Sequence, residues 1–308
     1  MSGDSHRRVD HFIEFFGESH PAFAKEILRT RDSEPELFWE LAPPMLEWAE
    51  TCLGTDYAKQ LTHGYVRFVV ALHKSQQAYE ACGRYENTSS ETAFREVYDN
   101  PEYMNAYHWG VYTTTFTWGH HLRLYGFFRD QFLRRLPETD FHVLDLGAGS
   151  GIWHLIALSR SVNSSATSVD FSPTAFSWCQ RLGQATGFAE RIDYRQSDAL
   201  SIELDRPCAG VISNCLLEHV EHPARLMENV ARNLEMRSYA YVAGALTSAE
   251  PDHIREFRNE SELVQLAENA GLRLVASLCE SPTNADANMH FLPRSMAMVL
   301  QKRRNEIW

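Results

Sequence analysis

The run Val143-Leu144-Asp145-Leu146-Gly147-Ala148-Gly149-Ser150-Gly151 places glycine at alternate positions directly behind a short apolar stretch. Glycine lets the backbone turn sharply and approach a ligand with no Cβ in the way. A helix beginning near Ile152 would then aim its free N–H groups at a carboxylate or phosphate. Glycine loops of this general kind serve several nucleotide-like ligands. The spacing here is not the G-x-G-x-x-G order of dinucleotide folds. Acidic residues recur at matching places further on. Asp145 stands two positions before the first glycine. Asp170 ends the run Ser168-Val169-Asp170, where a carboxylate can accept hydrogen bonds from both hydroxyls of a ribose, and Phe171 can lie on an adenine ring. In Ser197-Asp198-Ala199 an acceptor can meet the adenine amino group. Asn214 follows another apolar run and leads into Cys215-Leu216-Leu217-Glu218-His219-Val220-Glu221-His222-Pro223.

These residues need strand ends to hold them. From residue 141 onward, short apolar runs alternate with helical ones, the pattern of βαβ units and a parallel sheet. The expected strands are 142–146, 166–170, 192–196, 209–213, 238–244, 273–279 and 296–301. Helices are expected in the gaps between the first five, and one more over 261–269. The last two strands have no helix between them and should pair antiparallel. Upstream the chain reads as helical. Ser33 before Glu34-Pro35-Glu36 predicts a helix start, with Gly54 as its stop. Thr88-Ser89-Ser90-Glu91 reads as a capping box for a helix through Tyr98. Asn100-Pro101 caps another, with proline at its first position.

Composition limits what the site can serve. The chain has 308 residues, is 44% hydrophobic and carries a formal net charge of −12. That is enough apolar material for a core, and the acidic balance argues against a nucleic-acid partner. Six cysteines form no CxxC pair and fall mostly in apolar stretches, as reduced thiols of a cytoplasmic protein do. The polar first ten residues are no signal peptide, and no apolar run approaches the ~20 residues of a membrane span. The partner expected is a small-molecule substrate, with no nucleic acid and no membrane; a homodimer is left open.

The ordered set Asp-Leu-Gly-Ala-Gly-Ser-Gly, Val-Asp, Ser-Asp-Ala and Leu-Leu-Glu-His-Val resembles the class I methyltransferases that use S-adenosylmethionine (SAM). Pro251-Asp252-His253-Ile254, Phe257 and Ala270-Gly271-Leu272 are similar to the C-terminal part of that family. The resemblance covers roughly residues 126–308. It implies an α/β, Rossmann-like, seven-stranded and mostly parallel sheet with helices on both faces. An N-terminal α-helical cap over residues 1–125 would complete the chain. It further implies that Gly147, Gly149 and the 148–151 backbone, Ala148 included, lie against the methionyl part of SAM and that Asp145 helps hold its amino group, directly or through water. Asp170 would take the ribose, Asp198 and Ala199 the adenine, and Asn214, Cys215 and Leu216 the floor near the sulfonium. Trp153 departs from the smaller residue common in the family.

The acceptor is not written in the motifs, because methyl transfer relies on positioning and desolvation rather than a fixed triad. His219 is a candidate base. His219 and His222 lie three apart, but no third ligand is evident, so no metal is expected. Where DNA amino-methylating enzymes carry Asn/Asp-Pro-Pro-Tyr, this chain reads Asn214-Cys215-Leu216-Leu217. The N-terminal half is crowded with aromatics, and Tyr85, Tyr107, Trp109 and Tyr112 are candidate pocket residues. That half also resembles the bacterial enzymes that cyclise SAM itself to azetidine-2-carboxylate and release 5′-methylthioadenosine. Methyl transfer to a small metabolite, SAM cyclisation and non-catalytic SAM binding are thus the three readings, the first being favoured. An aromatic wall serves the first two equally, since aromatic faces stabilise a sulfonium.

Overall fold

A computed structural model describes residues 3–303, apart from 88, 94–96, 99 and 283–288. The N-terminal region is a stack of helices: α1 (Gly3–Ser19), α2 (Pro21–Ser33), α3 (Pro35–Leu53), α4 (Tyr57–Cys82), the short α5 (Ser90–Ala93), α6 (Pro101–Thr117) and α7 (Gly119–Phe127). The strands are β1 (His142–Leu146), β2 (Ser165–Asp170), β3 (Ile192–Gln196), β4 (Cys208–Asn214), β5 (Leu234–Leu246), β6 (Leu272–Glu280) and β7 (Arg294–Lys302). Between them run α8 (Ile152–Leu158), α9 (Pro173–Ala185), α10 (Pro223–Asn233) and α11 (Glu260–Asn269).

The local sequence accounts for several boundaries. Asn100 caps α6, its side chain accepting from the Tyr103 amide, with Pro101 next as expected. Asn259 and Glu262 form a capping box at α11. At α3 the cap position is Glu34 rather than Ser33, and Gly54 ends the helix. Thr88 of the expected capping box lies outside the described residues, and α5 covers only Ser90–Ala93. One expectation fails outright: no helix bridges β3 and β4, where residues 197–207 form turns instead. The turn is local, with Asp198 accepting from the Leu200 amide and the Ser201 hydroxyl.

The sheet order is β3-β2-β1-β4-β5-β7-β6. The first five strands in that order are parallel, whereas β7 is antiparallel to both β5 and β6 and lies between them. Side chains alternate across the sheet, so each face feeds its own core. Val143, Ile212, Tyr241, Ala243, Ala297 and Val299 join α8, α9 and the N-terminal helices on one side. Leu144, Leu146, Val211, Val242, Met298 and Leu300 join α10 and α11 on the other. The expected division between residues 125 and 126 falls inside α7. A single apolar core crosses it, with Phe128 packed edge-on to Trp153 and Tyr241.

Polar contacts fasten the cap to the sheet. Gln76 of α4 donates to the carbonyls of Thr247 and Phe291 and accepts from the Ala249 amide. Glu80 accepts from the amides of His290 and Phe291. Among the described residues no helix is long and apolar enough to cross a membrane.

Candidate active site

The cavity lies where the cap meets the carboxyl ends of the parallel strands, the usual ligand position in open α/β sheets. It has a volume of ≈ 1400 Å³ and runs from the glycine loop to helices α2, α4 and α6. Gly147, Gly149 and Gly151 all adopt positive φ (67°, 54° and 79°), which a side chain would strain. A Cβ on Gly147 would stand 2.8 Å from Leu216, and one on Gly151 would stand 2.6 Å from His154. At Gly149 such a Cβ would meet nothing within 4 Å, because the cavity opens there.

Asp170, at the tip of β2, shapes the loop. Its Oδ2 accepts from the Gly149 amide at 2.8 Å and its Oδ1 from the Ser172 amide at 2.9 Å. Burial raises its pKa, opposed by those two amides. Each oxygen keeps a lone pair for a further donor. Phe171 stands beside it, edge-on to Tyr98 with ring centroids 5.2 Å apart. Asp198, Ala199, Asn214, Cys215 and Leu216 also line the cavity. The lining fits SAM: an open backbone at Gly149, the Asp170 carboxylate beside it, and Asp198, Ala199 and Asn214 to Leu216 after β3 and β4.

Asp145 is placed differently from expectation. It is 1% exposed and does not line the cavity. Its Oδ2 accepts from His154 Nδ1 at 2.8 Å, beneath the loop. Burial lowers the His154 pKa, but Asp145 and Cys179 outweigh it and hold the imidazole near about 10. The loop therefore rests on a buried ion pair, and Asp145 supports it from behind.

The aromatic candidates divide by helix phase. Tyr107 lines the cavity, and burial raises its hydroxyl pKa well above the ordinary value. Trp109 and Tyr112 do not line it. They face the core, Trp109 against Trp178, and Tyr112 donating to the Met45 carbonyl at 2.6 Å. Tyr85 is also off the wall, packed against Tyr79 and Ala249. Other residues take their place: Tyr65, Phe68, Tyr98 and Trp118, with His108, His120 and His121. Burial depresses the imidazoles, His108 to about 3 and His121 to about 4, so this part of the wall is uncharged at neutral pH.

His219 reaches the cavity within a polar cluster that the sequence did not bring together. Tyr98 donates to Asp252 Oδ2 at 2.8 Å. His219 Nδ1 is 3.2 Å from the Asp252 carbonyl and 3.3 Å from its carboxylate. His253 packs edge-on to His219, ring centroids 4.8 Å apart. Glu218 and Glu250 complete the wall, and burial raises the pKa of both. His222 also lines the cavity but joins no such group. The cue missed in the sequence was Pro251-Asp252-His253, read there only as a family feature.

Comparison with known proteins agrees with this geometry. Residues 143–236 match the family described as a methyltransferase domain. The tRNA1(Val) (adenine(37)-N6)-methyltransferase of Vibrio cholerae serotype O1 is 26% identical over 158 residues. That match covers 49% of this chain and 65% of the relative's length, just under two thirds. Phosphoethanolamine N-methyltransferase 2 of Haemonchus contortus, solved with S-adenosyl-L-methionine, superposes with a TM-score of 0.53 at 14% identity, covering 71% of this chain and 61% of that one. The [4+2]-cyclase SpnF gives a TM-score of 0.49 at 12% identity over 59% of this chain and 80% of that one. Residues 143–236 thus carry the match to a methyltransferase domain, and the sheet-bearing part of the chain shares its fold with a solved SAM-bound methyltransferase.

Proposed function

We propose that the protein transfers a methyl group from SAM to a small metabolite enclosed between the cap and the sheet. The observation that carries this reading is the size of the cavity. Pockets for one drug-sized ligand run to about 300–1,000 Å³, and ≈ 1400 Å³ leaves room for a second molecule beside the cofactor. When bound, SAM supplies an electrophilic methyl on a sulfonium. Asp170 would accept the ribose hydroxyls, Gly149 and its neighbours would cradle the methionyl part, and Asn214 to Leu216 would floor the reacting end. The cap aromatics Tyr65, Phe68, Tyr107 and Trp118 would hold the acceptor and keep water out, which strengthens every charge interaction inside. The tRNA enzyme of Vibrio cholerae acts on a nucleic acid. For this chain a net charge of −12 and a cavity walled on one side by the helical cap favour a small acceptor.

A second reading, cyclisation of SAM to azetidine-2-carboxylate, draws support from the aromatic faces of Tyr98, Tyr107 and Phe171 on the cavity wall. Incubation with SAM alone, followed by mass spectrometry, separates the two. S-Adenosylhomocysteine formed only after a metabolite extract is added supports methyl transfer. Methylthioadenosine and a four-membered cyclic amino acid from SAM alone support cyclisation and refute the first reading. SAM binding with neither product from any extract would leave a non-catalytic binder.

A further inference from the structure

The cavity wall formed by the loops after β4 and β5 gathers Glu218, His219, Glu250 and His253 at its surface, with Asp252 behind them. Ligand atoms of Glu218, His219 and His253 lie within 4.8 Å of one another. Glu218 is 1% exposed, and although it sits against the Cys215 thiol and the Ala245 amide, neither carboxylate oxygen completes a hydrogen bond of good geometry. Asp252 Oδ1 is likewise unsatisfied. Buried carboxylates left this way are costly, and they are normally paired or coordinate a metal.

The two imidazoles are set for ligation. His253 Nδ1 is 2.7 Å from the Ser248 carbonyl, and His219 Nδ1 is 3.2 Å from the Asp252 carbonyl. A carbonyl oxygen only accepts, so each Nδ1 is placed to donate and each Nε2 is left for a ligand, that of His253 lying 3.8 Å from Glu250 Oε2. Metal-bound histidines are held in this way, the second nitrogen donating to a carbonyl or carboxylate. Nor does an arginine neutralise the acids. Among the described residues, the cavity's basic side chains beyond histidine are Arg29 and Arg294, and these pair with Glu26 and Glu260.

We infer that Glu218, His219 and His253 form a binding site for one divalent first-row transition-metal ion, with an open position facing the cavity. Two imidazoles and one carboxylate suit Zn²⁺ or a close relative, whereas Mg²⁺ and Ca²⁺ prefer all-oxygen sets. Ligands on a tetrahedral Zn²⁺ at ~2.1 Å stand ~3.4 Å apart, so the three side chains need only draw in from their present separations. Asp252 is a positioning residue, its carbonyl fixing the His219 tautomer. Three protein ligands with a vacant fourth position are the mark of a catalytic rather than a structural zinc. Resting on the methyl-transfer reading, the open position would take an oxygen of the acceptor and favour its deprotonated, nucleophilic form.

The test uses the full chain, stripped by chelator and titrated calorimetrically with ZnCl₂ without SAM or acceptor. Metal binding is thereby measured independently of the methyl-transfer reading. One ion per chain should bind, raising the thermal midpoint, with little competition from MgCl₂. Glu218→Gln and His253→Gln should weaken Zn²⁺ by ~100-fold or more, while His222→Gln leaves it unchanged. X-ray absorption of the zinc-loaded wild type should show two imidazole ligands, a readout that survives if a variant fails to fold. Absence of saturable Zn²⁺ binding below about 1 mM, unchanged affinity in both variants, or a spectrum without histidine ligation would overturn the site. So would weakened SAM binding in Glu218→Gln with no Zn²⁺ binding in the wild type, which would assign the carboxylate to an organic cation instead.

Discussion

The ion pair under the glycine loop makes a quantitative prediction. In Asp145→Asn the side chain keeps its size and an acceptor for His154 Nδ1 but loses its charge. The wild-type imidazole, fully buried, is held near about 10 against an ordinary 6.5. That difference corresponds to ~5 kcal/mol favouring the charged form in the folded state, and breaking a buried pair typically costs ~3–5 kcal/mol. The sign follows from the direction of the shift. A folded pKa above the unfolded one gives stability that is complete below pH 6.5 and is lost as pH rises toward about 10. Across that window the wild type should lose ~1.4 kcal/mol per pH unit from this group. In Asp145→Asn only Cys179 still opposes burial, the largest influence on His154, so the imidazole should be neutral and its contribution flat. Urea unfolding at pH 7, 8 and 9 should therefore show the gap between the two proteins narrowing with pH, from ~4 to ~1 kcal/mol. A gap of equal size at pH 7 and pH 9 would mean the pair is not ionised, and the account of the loop's support would be wrong.

Other perturbations address the cavity and the cap. Asp170→Asn should weaken SAM binding by ~1.5–3 kcal/mol, the value of a hydrogen bond to a charged group; unchanged calorimetric affinity would take Asp170 out of the site. Gly110→Ala would set a Cβ against the Phe68 Cβ closer than real side chains approach, forcing α6 away from α4. It should cost ~1–3 kcal/mol in denaturant unfolding, and an undiminished midpoint would contradict that packing. Trp109→Ala should cost ~3–5 kcal/mol of stability as a core deletion, whereas Tyr107→Phe should leave the thermal midpoint in place and alter turnover or substrate affinity. The reverse pattern would mean that the two side chains have been assigned to the wrong faces of α6.

The glycine loop and the strand tips that line one end of the cavity were legible because their cues are local. A glycine needed at positive φ, an acid at a strand tip and a run such as Asn214-Cys215-Leu216 each report on their own few residues, and the parallel order of the strands then brings them together. Asp145 was misplaced because its partner, His154, lies nine residues away on the underside of α8. The cap was harder for a physical reason. Helix α6 buries residues all round its circumference, His108, Trp109, Tyr112, Thr115 and Phe116 among them, so periodicity does not tell the side facing the ligand from the side facing the core. Tyr98 and Trp118 bound the cavity, whereas Tyr85 sits behind it, an outcome decided by helix docking. The pairing of His219 with His253 depends on loops after two different strands, and spacing within the chain carries no trace of it.

The position of β7 has a consequence for how the molecule is made. Among the described residues it is the last strand in sequence, yet it lies between β5 and β6 and supplies hydrogen bonds to both. The stretch before it also carries Phe291, on which Gln76 and Glu80 of the cap depend. During synthesis both neighbours of β7 must wait with open edges, and open edges invite pairing with other chains. Roof and hairpin close late and together, so a ribosome stalled shortly before Arg294 would hold a chain with its glycine loop already translated and no finished chamber around it. Such a chain is a natural client for a chaperone, and its yield should fall more steeply with expression temperature than the stability of the finished protein would suggest.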